Sequence, residues 1–388
     1  MKKKRIIVSI IGTIILIPFI MLFIILGIWH NELSTIASIK TIANNNLEHK
    51  DGYTYEMTIS GDYYLDDFIN QGGVKSDSEL ITFITNHITK GLIPMKLEQP
   101  EIGCSSFTAT SEDGEKLFGR NYDFKQTSIA VVHTNPGKDR YKSISTIDLG
   151  FLGIDEKGIN GLMHKVKALA APFVPLDGIN EKGVACGIYM TYQGPDKEAH
   201  ATNQDTVKPD ITSTTLLRII LDYADDVEEA IKIAEYFDMH DSAGTSFHYM
   251  VADKEGNSAV LEWVGENDNT DTNGKIRKLN VIRNEKNYQT VTNFILTKDY
   301  YSNKDDMKGL DRYNHLEKYL ETCKGTVKDE VEAMNLLAQV GRRNWKVDGD
   351  LTMGTTIHSV VYNLTDLTSY FIPNENFDLE THKFFYSL

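Results

Sequence analysis

Residues 104–124, reading CSSFTATSEDGEKLFGRNYDF, constrain the fold of this chain more than any other feature of its sequence. Two strand-like runs, residues 104–110 and 117–124, flank the turn residues 111–114. The turn ends in Asp113 and Gly114, and Asp-Gly is a dipeptide that a tight hairpin turn favours. The pattern therefore predicts an antiparallel hairpin whose second strand returns alongside the start of the first.

This hairpin brings three chemically distinct side chains toward one end. Cys104 opens the first strand, while Arg120 and Asp123 lie on the returning strand. A fixed cation close to a sulfur atom favours the thiolate, which is the nucleophilic form of cysteine. The competing interpretation is structural, because Arg120 could be a surface residue of the hairpin or form a local ion pair with Asp123.

The same stretch resembles the start of the mature chain in the choloylglycine hydrolase family of N-terminal-nucleophile amidases. That family includes bile salt hydrolases and penicillin V acylases, with acid ceramidase as a more distant relative. The resemblance is carried by Cys104, by Asp113 and Gly114 in the turn, and by residues 119–123, which read GRNYD. It implies an α+β fold, namely a four-layer αββα sandwich of two antiparallel sheets. It also implies hydrolysis of a linear, non-peptide carbon–nitrogen amide through an acyl-thioester, with no cofactor.

The resemblance implies a role for each of four further residues. Arg120 favours the thiolate and orients the substrate, and Asp123 accepts a hydrogen bond from the amine of Cys104. Asn293, in the run VTN, donates to the oxyanion, and Arg312, in the run LDRY, ties the site together by hydrogen bonds. Without the resemblance, Asn293 is typical of a turn at a strand end, and Arg312 is typical of an exposed helix N-terminus.

Tyr189 and Gly103 complete the set of candidate site residues. Tyr189 corresponds to a position where bile salt hydrolases carry Asn and penicillin V acylases carry Tyr, so it disfavours a bile-salt substrate; plain core packing is the alternative. Gly103 precedes Cys104 and is the least hindered residue that could stand before a scissile bond. In the family that this stretch resembles, the base is the α-amine of an N-terminal cysteine, so the resemblance implies cleavage between Gly103 and Cys104. A free α-amine has a pKa of about 8 and can act as a base at working pH.

The N-terminus has the pattern of a membrane anchor. Residues 1–5 hold a basic cluster, and residues 6–29 form an uncharged, almost unbroken apolar run. A run of this length can cross a bilayer as a helix, and the basic end stays on the cytoplasmic side. We therefore expect a single-pass membrane protein with an extracytoplasmic catalytic domain. The alternative is a cleaved signal peptide and a secreted enzyme.

Residues 30–103 are predicted to form a pro-segment or connector, and residues 104–388 the catalytic domain. In the pro-segment, residues 53–64 have the composition of a strand and residues 76–89 the apolar periodicity of a helix, with Ser76 or Ser78 as its cap. In the catalytic domain we expect helices at 214–237, 310–322 and 327–340, the first of them broken at Asp225 and Asp226.

Composition narrows the function classes. A formal net charge of −15 disfavours nucleic-acid binding, because phosphate repels an acidic protein. Three cysteines are too few for a disulfide framework, and none of the eleven histidines lies in a metal-binding spacing such as H-E-x-x-H. The expected partners are a small-molecule N-acyl amide and the membrane. Two other functions remain open: a non-catalytic binding protein that never cleaves before Cys104, and a Cys-His hydrolase that uses Cys104 unprocessed.

Overall fold

A computed structural model describes residues 27–46, 48–49, 51–91, 103–137, 139–192, 201–265, 274–275, 277–342 and 355–388. The helices in these ranges are α1 (His30–Ser38), α2 (Leu65–Asn70), α3 (Asp77–Ile88), α4 (Gly161–Ala168), α5 (Ser213–Tyr223), α6 (Val227–Tyr236), α7 (Leu310–Thr322) and α8 (Glu330–Gln339). The strands are β1 (Lys40–Ala43), β2 (Thr54–Ser60), β3 (Gly103–Ser111), β4 (Lys116–Phe124), β5 (Ile129–Asn135), β6 (Ser143–Asp148), β7 (Asp177–Asn180), β8 (Ala185–Met190), β9 (Asp210–Thr212), β10 (Asp238–His240), β11 (Phe247–Ala252), β12 (Ser258–Val264), β13 (Lys278–Arg283), β14 (Thr290–Val291), β15 (Thr326–Val327), β16 (Thr355–Asn363), β17 (Thr368–Pro373) and β18 (Phe384–Ser387). Short 3₁₀ turns lie at Leu149–Leu152, Ala171–Phe173, Ser242–Gly244, Lys304–Asp306 and Glu380–His382.

Two large sheets with helices on their outer faces form the body of the protein. One sheet has the strand order β1-β2-β5-β6-β7-β8-β11-β12-β13, and the other has the order β14-β3-β4-β16-β17-β18, with β15 also paired to β3. α5 and α6 pack on the first sheet, α7 and α8 pack on the second, and β3 contacts β8 between the sheets. The predicted α+β sandwich of sheets is confirmed.

The prediction that both sheets are antiparallel is wrong at two strand pairs. β2 runs parallel to β5, and β15 runs parallel to β3. Parallel pairing requires a long connection between the two strands, and both pairs have one. The chain between β2 and β5 includes α2, α3 and the whole β3–β4 hairpin. This connection is long enough to bring β5 alongside β2 with both strands running in the same direction.

The helices begin and end close to where the apolar periodicity places them. The predicted break at Asp225 and Asp226 is confirmed, because the Asp226 side chain caps α6 by accepting from the N–H of Glu229 at 2.8 Å. Under α7 and α8, a separate core packs Leu316, Leu320 and other apolar side chains against the second sheet. Each such buried leucine stabilises the fold by about 1.5–3 kcal/mol.

The segment before the hairpin is part of the sandwich. β1 and β2 form one edge of the nine-stranded sheet, and the predicted helix in this segment is present as α3, with Ser76 accepting from the N–H of Glu79 at 3.3 Å. The anchor predicted at residues 6–29 lies outside the described residues except for 27–29. Within the described ranges, no helix combines the length and the apolar character needed to span a bilayer.

Candidate active site

The predicted hairpin is present, and Cys104 lies at its open end. β3 and β4 pair antiparallel, with Gly103 opposite Asp123. The turn closes where the N–H of Gly114 donates to the carbonyl of Ser111 at 2.9 Å. The first residues of β3 therefore meet the last residues of β4, as the sequence pattern predicts.

The thiol of Cys104 is completely buried. Arg120 Nη2 lies 3.4 Å from Sγ, and the thiol lies 3.8 Å from the carbonyl oxygen of Ile188. Burial raises the pKa of Cys104 to about 12, although the nearby Arg120 charge lowers it. Arg120 does favour the thiolate, as expected, but in the chain with an intact Gly103–Cys104 bond the removal of sulfur from water outweighs this attraction and keeps the thiol protonated.

Arg120 is held rigidly behind the sulfur. Its Nε lies 2.9 Å from Asp177 Oδ2, and its guanidinium carbon stacks 4.6 Å from the centre of the Tyr189 ring. Tyr189 in turn donates from its hydroxyl to Ser106 Oγ at 2.6 Å. A Cβ on Gly187 would lie 2.7 Å from Arg120 Nη1, so only glycine leaves room for the guanidinium here. Tyr189 is therefore a buried support for Arg120 and is not exposed to a ligand in this state.

Asp177 is a site residue that the sequence analysis missed. Its carboxylate accepts hydrogen bonds from Tyr362 at 2.6 Å, Thr146 at 2.8 Å and His358 at 2.9 Å, besides facing Arg120. Burial raises the pKa of Asp177, but His358 and Arg120 lower it more, so the net pKa is below the ordinary value. Asp177 therefore stays ionised and fixes the charge and orientation of Arg120. Its role depends on burial and on partners far away in the sequence, so no local sequence pattern indicated it.

Asp123 does not pair with Arg120, so the alternative of a local ion pair is wrong. Its carboxylate accepts instead from Arg312 Nη1 at 2.6 Å and from Thr356 Oγ1 at 2.7 Å. The N–H of Cys104 donates to Asn293 rather than to the Asp123 carboxylate. The hydrogen bond expected between Asp123 and Cys104 is therefore not formed in the uncut chain.

Asn293 links Cys104 to Arg312. Its Oδ1 accepts from the N–H of Cys104 at 2.9 Å and from Arg312 Nη2 at 2.9 Å, while its Nδ2 donates to the carbonyl of Met190 at 2.8 Å. Because arginine only donates and a carbonyl only accepts, these partners determine which way the Asn293 amide points. One hydrogen on Nδ2 remains for a further acceptor, which is the hydrogen that an oxyanion would need.

All the candidate residues fall into one connected constellation, in which every residue except Gly103 is buried. Direct contacts join Cys104, Arg120, Asp123, Asn293, Arg312, Tyr189 and Gly103. The sequence analysis missed the partners that hold them, namely Asp177, Thr356, Ser106 and the carbonyl groups of Ile188 and Met190. Backbone carbonyls carry no sequence signal at all. In the ranges that the structure describes, no group of three or more His, Cys, Asp and Glu side chains suits a metal ion.

Residues 110–376 match the family model described as acyl-coenzyme A:6-aminopenicillanic acid acyl-transferase. This match covers more than half of the chain and includes Arg120, Asp123, Tyr189, Asn293 and Arg312. No curated protein sequence matches the chain significantly.

Several solved structures are similar to this one. A mutant conjugated bile acid hydrolase from Clostridium perfringens has 16% sequence identity to this chain and a TM-score of 0.46. The match covers 70% of this chain and 89% of that chain. Penicillin V acylase from Agrobacterium tumefaciens has 17% identity, with 70% and 83% covered and a TM-score of 0.46. The Caenorhabditis elegans ortholog of N-acylethanolamine-hydrolyzing acid amidase has 15% identity, with 74% and 100% covered and a TM-score of 0.40.

Proposed function

Because the chain belongs to the acyl-coenzyme A:6-aminopenicillanic acid acyl-transferase family, we propose that it hydrolyses a linear, non-peptide carbon–nitrogen amide of an N-acylated small molecule, with Cys104 as the nucleophile. One observation carries the proposal. The Cys104 sulfur contacts Arg120, and the Cys104 nitrogen contacts Asn293, which Arg312 ties to Asp123. Nucleophile, base position and oxyanion donor thus lie around one residue, which is what attack on an amide requires.

The proposed activation is cleavage between Gly103 and Cys104. The Cys104 thiol attacks the Gly103 carbonyl carbon, the peptide nitrogen leaves as the α-amine, and the acyl group of Gly103 becomes a thioester on sulfur. Water then hydrolyses this thioester, releasing the Gly103 carboxylate and the thiol. The nitrogen that now donates to Asn293 at 2.9 Å becomes a free amine with a pKa of about 8.

In the proposed turnover, the α-amine of Cys104 accepts the thiol proton as sulfur attacks the substrate carbonyl. The remaining hydrogen on Asn293 Nδ2 stabilises the oxyanion, and the α-amine returns its proton to the departing amine. Water hydrolyses the resulting acyl-thioester. An added amine could take the acyl group in place of water, so both products belong in the assay.

The piece before the cut is proposed to stay bound. β2 pairs with β5 along seven residues, and the Tyr63 hydroxyl donates to the buried carboxylate of Asp222, which also pairs with Arg218 at 2.6 Å. Losing these contacts would expose a sheet edge and remove one hydrogen-bond donor from the buried Asp222 carboxylate. The association therefore does not depend on the peptide bond at Gly103.

We propose that the enzyme is tethered to the membrane, with the catalytic domain outside the cytoplasm. The support is the basic cluster at residues 1–5, followed by the apolar run at residues 6–29. Protease added to intact cells should digest the catalytic domain, with a cytoplasmic protein as the protected control. Digestion that occurs only after the cells are lysed would refute this topology.

The decisive experiment is the intact mass and N-terminal sequence of the purified protein. We expect two pieces, one ending at Gly103 and one beginning at Cys104, and an uncut chain for Cys104→Ala. Cys186→Ala and Cys323→Ala are the matched thiol controls, and both should cleave and turn over a panel of linear N-acyl amides normally. Fully active protein with an intact Gly103–Cys104 bond would refute the mechanism. An uncut and inactive wild type would favour a non-catalytic binding protein.

A further inference from the structure

A buried histidine and glutamate lie beside the candidate active site. His248 on β11 is directly opposite Tyr189 on β8 and directly opposite Glu262 on β12. The Tyr189 and His248 rings meet edge to face, with centres 5.7 Å apart. A single row of side chains therefore crosses the sheet from the support of Arg120 to Glu262.

Both ring nitrogens of His248 face oxygen atoms. Nδ1 lies 2.9 Å from Glu262 Oε1, and Nε2 lies 2.8 Å from the carbonyl oxygen of Thr292. A carbonyl can only accept, so Nε2 carries a proton. Glu262 also accepts from the N–H of Leu296 at 2.7 Å and from both the N–H and the hydroxyl of Thr297, at 3.0 Å and 2.8 Å. Glu262 thus joins the His248 ring to the backbone of residues 296–297 through one continuous set of hydrogen bonds.

These contacts hold the backbone of the segment that carries Asn293, both before and after that residue. His248 binds the carbonyl of the preceding residue, Thr292, and Glu262 binds the backbone at Leu296 and Thr297. Asn293 lies between these two sets of contacts, and its Oδ1 accepts from the N–H of Cys104 at 2.9 Å. The position of the Asn293 amide, and so its distance from an oxyanion, depends on where this backbone is held.

We propose that His248 and Glu262 are positioning residues, which act as a buried hydrogen-bonded clamp on residues 292–297 and so set the position of Asn293 against Cys104. This inference rests on the proposed function for its effect on turnover. Neither side chain touches the reacting atoms, and their action passes through the backbone of the clamped segment.

His240 supplies a matched control. It is also a buried histidine with both ring nitrogens paired, to Asn203 Oδ1 at 2.7 Å and to Asp210 Oδ1 at 2.8 Å, but it lies in the separate two-stranded sheet of β9 and β10. Replacing either histidine with leucine removes two polar contacts of a buried ring. Only the His248 substitution releases the segment that carries Asn293.

The first test compares His248→Leu, His248→Gln and His240→Leu by steady-state kinetics on the processed protein. His248→Leu should lower kcat by about 100-fold, with KM changed much less, because a displacement on the order of 1 Å at a catalytic group costs that much. Glutamine can still donate to the Thr292 carbonyl and should recover at least about tenfold of that loss. His240→Leu should keep kcat within about twofold. Equal losses in His248→Leu and His240→Leu would overturn the proposal.

The second test does not depend on turnover. Hydrogen exchange of the backbone amides at Leu296 and Thr297 should quicken at least about tenfold in Glu262→Gln and remain unchanged in His240→Leu. Unchanged exchange in Glu262→Gln would refute the clamp even if the protein is an active amidase. A confirmed clamp in an inactive protein would refute only the proposed function.

Discussion

Replacing Gly103 with alanine tests the geometry of the proposed cleavage site. A Cβ at this position would lie 3.1 Å from the Asp123 Cβ and 3.2 Å from its Oδ2. Ordinary contacts between such atoms are about 3.5–4.0 Å, so something must move by a few tenths of an ångström. Asp123 resists that movement because Arg312 and Thr356 hold its carboxylate at 2.6 Å and 2.7 Å. The displacement therefore falls on the Gly103 carbonyl, which the thiol must attack.

We expect Gly103→Ala to slow cleavage by about tenfold. A misplacement of about 1 Å costs about 100-fold in rate, and the shift here is only a few tenths of an ångström, so the expected loss is smaller. Global stability should change little. Gly103 does not have a positive φ, so alanine restricts the unfolded chain and stabilises by about 0.4–1 kcal/mol, which offsets the crowding. A slow cleavage with a nearly unchanged melting temperature is therefore the expected signature.

The assay follows the two pieces on a denaturing gel over time after synthesis. Ser105→Ala is the matched control on the other side of the scissile bond, because the buried Ser105 hydroxyl has no hydrogen-bond partner within the described part of the chain. It should cleave at the wild-type rate, and Cys104→Ala should not cleave. Wild-type cleavage in Gly103→Ala would refute the argument that crowding against Asp123 controls this site.

Three further outcomes are expected. Iodoacetamide at pH 8 should label Cys104 at least about tenfold more slowly in the uncut chain than in the processed chain, because burial raises the pKa of Cys104 to about 12 and keeps the thiol protonated. Equal labelling rates, measured by mass spectrometry, would contradict this. Asn293→Ala should lower kcat by about 10²–10³-fold if its amide donates to the oxyanion, and a change in KM alone would point to substrate packing. Tyr63→Phe should weaken the association of the two pieces by about 1–3 kcal/mol in urea titrations, because it removes the hydroxyl that donates to the buried Asp222 carboxylate. An unchanged urea midpoint would show that the hydrogen bond between Tyr63 and Asp222 contributes nothing to the association.

Local sequence determined the hairpin that carries Cys104 and the positions of most helices. Alternating runs on either side of an Asp-Gly turn were sufficient to predict β3 and β4, because a hairpin is set by its own turn chemistry. Helical periodicity located α3, α5, α6 and α7, and Asp226 marked the boundary between α5 and α6. The contact between the proposed nucleophile and its nearest cation is also local, because Cys104 and Arg120 lie on the two strands of one hairpin.

Only the tertiary structure decided how these residues are partnered and charged. Asp123 pairs with Arg312, and Cys104 with Asn293, across 189 residues of sequence in each case, a separation over which no local pattern carries information. Asp177 is in place behind Arg120 only because the two sheets pack face to face. The charge state of Cys104 depends on desolvation, and burial is a property of the assembled sandwich rather than of any segment within it.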